Sequence, residues 1–126
     1  MNNKLMQIDN DKVVIVLPGI IKILDKWTCS LHVKQALLGF SNEEKFQDML
    51  SKPSAYTFSN EQIKRMSYLL TIYRSLHTIL SDGQRADNWV NTPNTAPLFR
   101  GQPAIAILKK GRLRDLELVA QYLQSF

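Results

Sequence analysis

The sequence predicts an all-α protein: an N-terminal helix-turn-helix-like bundle joined by a long central helix to a small helical C-terminal region. Three observations predict it. From Ile63 to Leu80, apolar residues recur at spacings of three and four, the repeat of one face of a helix. Helix-stop and helix-start residues punctuate the chain upstream of that stripe, with Gly39 before Ser41 and Asn42, and Ser59 ahead of Gln62. Downstream, Pro93 and Pro97 exclude interior helix, so a rigid loop must separate the long helix from two closing ones. The natural boundary falls at the connector, dividing the chain into residues 1–58 and 59–126.

Met1 to Lys12 is polar and irregular, an arm that is either frayed or ordered by a partner, and no element is assigned to it. Val13 to Leu17 reads as a short strand or as a helical turn kinked at Pro18. Because proline's missing N–H costs nothing at a helix start, Pro18 to Trp27 is expected to be the first helix, with Ile20, Ile21, Leu24 and Trp27 recurring along it. Ser30 caps a second helix, Leu31 to Leu38, which Gly39 ends in left-handed geometry. Ser41 or Asn42 caps a third, running through Leu50 with Phe46, Met49 and Leu50 inward.

Helix, glycine turn and helix make a helix-turn-helix layout, which a DNA reader and any compact three-helix subdomain share. If this one meets DNA, Lys34, Ser41, Asn42, Lys45 and Gln47 are the residues placed to do so. Glu43, Glu44 and Asp48 on the same helix repel phosphates, and Lys34 and Lys45 equally suit a solvated surface.

Ser51 to Phe58 is a connector, after which Ser59 and Gln62 form a capping box. The helix that follows, Glu61 to Leu80, spans roughly 30 Å at 1.5 Å per residue, enough to touch both halves of the chain. His77 stands near its end. Neither it nor His32 has a carboxylate or nucleophile at recognisable motif spacing, and with no phosphate loop or metal spacing the chain is not expected to be an enzyme or to need a cofactor. Ser81, Asp82 and Gly83 then turn the chain. In the segment RADNWVNTPNTAPLFRG, Arg85 to Gly101, Trp89, Leu98 and Phe99 are apolar anchors around turn-forming Asn91 and Asn94. A helix opening at Gly101 to Pro103 buries Ala104, Ile107 and Leu108, and Gly111 stops it. Leu113 to Tyr122 closes the fold on Leu116, Val119, Ala120 and Leu123.

The net charge is +5, with residues 61–126 holding nine Lys and Arg against five Asp and Glu. A balance of that size suits an acidic partner, a phosphate backbone or solubility alone. The single cysteine, Cys29, excludes an internal disulfide and is expected to pack as a small hydrophobe. The apolar run VVIVL falls far short of the roughly 20 residues of a membrane helix, and the N-terminus lacks the layout of a secretory signal. A cytoplasmic protein is the expectation.

Three segments together, LLGFS at Leu37 to Ser41, QIKRMSYLLTIYRSLH at Gln62 to His77, and RADNWVNTPNTAPLFRG, followed by DLELVAQYL at Asp115 to Leu123, resemble the Xre/MbcA/ParS antitoxins, partners of RES-domain toxins. The similarity runs from about Ile20 onward. It implies a type II antitoxin whose C-terminal helices bind a toxin that consumes NAD or transfers ADP-ribose, and whose N-terminal helices resemble an operator-binding module. The toxin-binding residues it points to are Trp89, Asn91, Asn94, Phe99, Arg100, Tyr122 and Phe126, and a homodimer within the toxin–antitoxin complex is expected. Two departures stand out: NEEKFQD at Asn42 to Asp48 is acidic for a DNA-reading helix, and the chain stops at Gln124-Ser125-Phe126 where relatives often carry an Arg- and Gly-rich tail. A free-standing helix-turn-helix regulator is the alternative.

Overall fold

The computed structural model describes Ile8 and residues 10–126. Seven α-helices make up the described chain: α1 Val13–Lys26, α2 Leu31–Leu37, α3 Glu43–Ser51, α4 Asn60–Ile79, α5 Gly83–Asn88, α6 Ala104–Leu108 and α7 Leu113–Gln124. Short 3-10 turns precede α1 and join α3 to α4 and α5 to the loop before α6. No strand occurs among the described residues, and the only β-type pairing there is an isolated bridge between Pro93 and Pro103. The all-α expectation therefore holds. No described helix is long and apolar enough to cross a membrane.

Two expectations about α1 are corrected. Asn10–Lys12, expected to carry no element, forms a 3-10 turn leading directly into α1; the rest of that arm, apart from Ile8, lies outside the described residues. The helix also starts at Val13 rather than Pro18, which sits inside it on the exposed side. The reason is burial. Val13, Leu17, Ile20 and Leu24 fall on one side and are 0–2% exposed. Burying Val13 and Leu17, at about 1.5–3 kcal/mol each, outweighs the roughly 3 kcal/mol that an interior proline costs.

α4 is the axis of the molecule. Its sequence stripe is expected to face inward on one side only, yet Gln62, Arg65, Ser67, Tyr68, Thr71 and Ile72 are buried along with Met66, Leu69 and Leu76. Other elements surround it: α1 and α5 pack against it, and α7 lies along it. One hydrophobic cluster runs from Val13 in α1 through α4 to Leu123 in α7, so the N-terminal helices share their core with the C-terminal ones. The predicted capping box is present: Ser59 Oγ accepts from Gln62 N at 3.0 Å, and Gln62 Oε1 accepts from Ser59 N at 2.9 Å.

At the N-terminal half of α4, Arg65 and Gln62 fasten it to the end of α2 and the turn that follows, Gln62 Nε2 donating to the Gly39 carbonyl at 3.4 Å. Arg65 Nη1 donates to the carbonyls of Ala36 (3.0 Å) and Leu37 (3.2 Å), two of the acceptors left open at the end of α2. Its stem occupies the space over Gly39, where an added Cβ would lie 2.9 Å from Arg65 Cδ. Gly39, at φ 81°, thus meets both demands that only glycine meets, the left-handed turn and the close approach. Gly111 repeats the arrangement at φ 74°, against Ala36. Leu50, expected inward, is 37% exposed, because the buried side of α3 is complete with Phe46 and Met49.

Candidate protein-binding face

The segment from Trp89 to Pro103 builds its shape from its own backbone. Asn94 N donates to the Gln102 carbonyl at 3.2 Å and Gly101 N to the Asn94 carbonyl at 2.9 Å, clipping the two ends of the loop together beside the Pro93–Pro103 bridge. Within the clip, Ala96 O accepts from both Phe99 N (2.9 Å) and Arg100 N (3.1 Å). Asn94 Oδ1 accepts from Ala96 N at 2.9 Å, the Asx-turn that short amides favour. Pro103 stands at the N-cap of α6, which begins one residue later than the expected opening at Gly101 to Pro103.

Phe99 is the plug under this loop. At 2% exposed it is core, its ring 5.6 Å from Trp89 and 5.2 Å from Tyr122. Its burial corrects the expectation that it touches a partner. The next residue, Arg100, is exposed and adopts φ 51°, a left-handed conformation that a side-chain-bearing residue takes at some cost. Its guanidinium makes no hydrogen bond or ion pair with the described residues, whereas Arg65, Arg112 and Arg114 are all paired.

Trp89, Tyr122 and Phe126 come together at the end of α4. Tyr122 lies 6.4 Å from Trp89 and 5.2 Å from Phe126, and the three rings border an apolar cleft of about 190 Å³ floored by Leu76, Leu80 and Leu123. Ile79 and Phe126, 40% and 73% exposed, form its rim. A second cleft of about 280 Å³ opens on the other side of the same two side chains, lined by Thr71, Arg74, Ser75 and Thr78. An apolar hollow with a polar neighbour is the composition of a protein-contact patch: large rings that desolvate well, with hydrogen-bonding groups beside them.

Of the remaining predicted contacts, Asn94 is half-buried and spends its carbonyl oxygen inside the loop. Asn91 turns the other way. Its Nδ2 donates to the Trp27 carbonyl at 3.0 Å, closing the end of α1, so its amide is a structural tie rather than a free contact.

The predicted DNA contacts do not assemble into a basic surface. Lys34 is withdrawn into an ion pair with Asp25, its side chain only 19% exposed. Asn42 Oδ1 accepts from Lys45 N at 2.8 Å as the N-cap of α3, settling the choice between Ser41 and Asn42. Ser41, Lys45 and Gln47 are exposed, and so are Glu43, Glu44 and Asp48 around them.

A polar cluster escaped the sequence reading. Lys26 of α1 donates to Tyr73 Oη at 3.1 Å, a neighbour that raises the lysine's pKa, and its Nζ lies 4.0 Å from Asp87. Asp87 in turn holds His77 Nε2 at 2.9 Å, and the His77 ring packs 4.2 Å from Tyr73. His77 therefore has a carboxylate partner after all, ten residues on. Three helices contribute, and only the Tyr73–His77 spacing of one helical turn hinted at it. The cluster ties α1, α4 and α5 at one corner.

No family model matches this chain, and no solved structure matches it. Over 117 residues the chain is 29% identical to an uncharacterized protein, y4oB, of Sinorhizobium fredii (strain NBRC 101917 / NGR234), covering 93% of this chain and 88% of that one.

Proposed function

We propose that this protein is the antitoxin of a type II toxin–antitoxin pair, acting in the cytoplasm. It binds and neutralises a RES-domain toxin that consumes NAD or transfers ADP-ribose, and does so through the face made by the Pro93–Pro103 loop and the aromatic cleft. The reading starts from the sequence resemblance to Xre/MbcA/ParS antitoxins. The observation that carries it is the loop itself, which is clipped by its own backbone hydrogen bonds and leaves Arg100 exposed and without a partner among the described residues. A loop already fixed loses little entropy on binding. An exposed guanidinium without an internal partner is the kind of group that contributes strongly to interface energies, and its charge suits a site that handles the phosphates of NAD.

Repression of its own operon is the secondary role, and the acidic α3 makes DNA binding by one copy weak. Two copies held in one complex would present paired modules to paired half-sites, so that DNA binding follows complex formation. The free-standing regulator has less support, for Lys34 is internally paired and Glu43, Glu44 and Asp48 accompany Lys45.

Co-expression with a RES-domain toxin encoded beside this chain tests the proposal. The full chain and its Lys45→Glu variant should keep cells growing, while Arg100→Glu and Tyr122→Ala should lose protection although the proteins remain helical by circular dichroism. Protection that survives both C-terminal changes and fails with Lys45→Glu would overturn it.

A further inference from the structure

Another cleft, of about 320 Å³, shares no residue with the Pro93–Pro103 loop or with the two clefts beside Phe126. Three parts of the chain wall it: the end of α2 with the turn at Gly39 to Ser41, the first turns of α4 at Glu61 and Arg65, and the turn between α6 and α7 at Lys110 and Gly111. Two left-handed glycines fix those walls. Gly39 stands against the Arg65 stem and Gly111 against Ala36, each too close for a side chain of its own.

The polar groups around this cleft are unevenly spent. The carbonyls of Ala36 and Leu37 are taken by Arg65, that of Gly39 by Gln62 and that of Phe40 by the Gln35 amide. The donors are not used up. Arg65 is 7% exposed, and its Nε and Nη1 serve Glu61, Ala36 and Leu37, while Nη2 has no acceptor among the described residues. Nη2 is not sealed in, because the enclosed side-chain polar atom that lacks a partner among the described residues is Trp27 Nε1; the Nη2 hydrogens therefore open to the cleft that Arg65 lines. Lys110 and the Ser41 hydroxyl, both on exposed residues, likewise make no hydrogen bond or ion pair with the described residues. The opposing charge is Glu61, whose carboxylate lies 3.1 Å from Arg65 Nε on a side chain that is 59% exposed.

We propose that this cleft binds a small anion of the phosphate class, inorganic phosphate or a phosphate monoester, held by Arg65 Nη2 with Lys110 and Ser41 Oγ around it. Donors left over where the neighbouring carbonyls are taken select an acceptor, and two of the three being cationic selects an anion; guanidinium and ammonium groups both suit phosphate oxygens. Arg65 and Lys110 outnumber Glu61 by one charge. A nucleic-acid backbone fits less well, because the guanidinium is recessed and the exposed Glu43 and Glu44 follow Ser41, so a polyanion meets three carboxylates where a small one meets Glu61. The fixed walls keep the ordering cost of binding low. An occupant bridges the turn after α2, α4 and the turn before α7, and so stabilises the junction of the N-terminal and C-terminal helices. The inference does not rest on the toxin-binding reading.

Amide NMR spectra of the 126-residue chain, titrated with inorganic phosphate and separately with ribose 5-phosphate to about 20 mM against chloride at matched ionic strength, test it. The signals of Gly39, Ser41 and Gly111 should shift and saturate. Lys110→Glu should weaken binding about tenfold or more and Ser41→Ala about threefold, whereas Glu61→Gln, which removes the opposing charge, should strengthen it about threefold. Lys109→Glu makes the same charge change on an exposed neighbour that does not line the cleft, and should stay within about twofold of wild type. Arg65 is kept intact because it also ties α4 to α2, and circular dichroism checks that each variant keeps its helix content. Tighter binding of ribose 5-phosphate names a phosphorylated small molecule as the ligand, and equal or tighter binding of inorganic phosphate names the free ion. Shifts that never saturate overturn the inference, as does binding that survives Lys110→Glu or that Lys109→Glu weakens as much. A short DNA duplex that shifts the same signals at lower concentration than either probe assigns the cleft to nucleic acid and overturns it too.

Discussion

Replacing Arg65 by Met removes the fastening between α4 and the end of α2 while keeping most of the aliphatic stem that packs over Gly39. Arg65 is 7% exposed, and its guanidinium donates to two carbonyls at the end of α2. Hydrogen bonds to a charged group contribute about 1.5–3 kcal/mol each. Ala36 O keeps a second donor in Gly39 N at 3.2 Å, so its loss is partial, whereas Arg65 is the donor that serves Leu37 O. The Glu61 partner is 59% exposed at its side chain, and that pair adds a few tenths of a kcal/mol at most. The expected loss is about 3 kcal/mol, a large share of the stability of a domain this size. Urea unfolding followed by circular dichroism measures it, with Glu61→Gln as a control expected within about 0.5 kcal/mol of wild type. A loss below about 1 kcal/mol for Arg65→Met, with an unchanged slope, would refute the view that these bonds tie α4 to the N-terminal helices.

Ser59→Ala removes one half of the capping box and should cost about 1 kcal/mol in the same assay. Gly111→Ala forces a side chain into φ 74° with its Cβ 2.9 Å from that of Ala36, and should lower stability by more than the 0.4–1 kcal/mol that such a change gains at an unstrained site. Burial pushes the Cys29 thiol up to about 11 from 9.0, so at pH 8 its reaction with a thiol reagent should be on the order of a hundredfold slower in the folded protein than in urea. Burial raises Tyr68 as well, ahead of the effect of Glu117. Both groups hold their protons more tightly when folded. Their contribution to stability is complete below the unfolded values and is lost as pH rises through the folded ones, so Tm should fall between about pH 9 and pH 11, and a Tm that rises across that window would contradict the assignment.

What the sequence made legible was whatever local chemistry decides. Ser30, Ser59, Gly39 and Gly111 each do what their residue type and position predict, because a cap or a left-handed turn involves neighbours only. The inner face of α7, Leu116, Val119, Ala120 and Leu123, was readable for the same reason: one helix, one period, one buried side. Reading failed where distant segments decide. The stretch Val13 to Leu17 was ambiguous because Pro18 argues locally for a helix start, and the burial of Val13 and Leu17 that overrules it depends on packing. Arg65 gave no sign of burial, since its carbonyl acceptors lie 28 and 29 residues away. Lys34 and Asn91 looked like surface contacts for the same reason; their partners, Asp25 and the Trp27 carbonyl, belong to other elements. The aromatic hollow needs the fold: the sequence singles out Trp89, Tyr122 and Phe126 one by one, and nothing local shows that they close over Leu76, Leu80 and Leu123.

The measurement that tests the central claim most directly is NAD consumption by a purified RES-domain toxin, encoded beside this chain, titrated with the 126-residue chain. Inhibition should be stoichiometric, reaching completion at a fixed ratio of chains. Arg100→Glu should move the titration to concentrations at least tenfold higher, a change of about 1.4 kcal/mol or more in binding, while Lys45→Glu titrates like wild type. A toxin whose NAD consumption is unaffected by excess wild-type protein, or that is inhibited equally by the Arg100→Glu variant, would contradict the account.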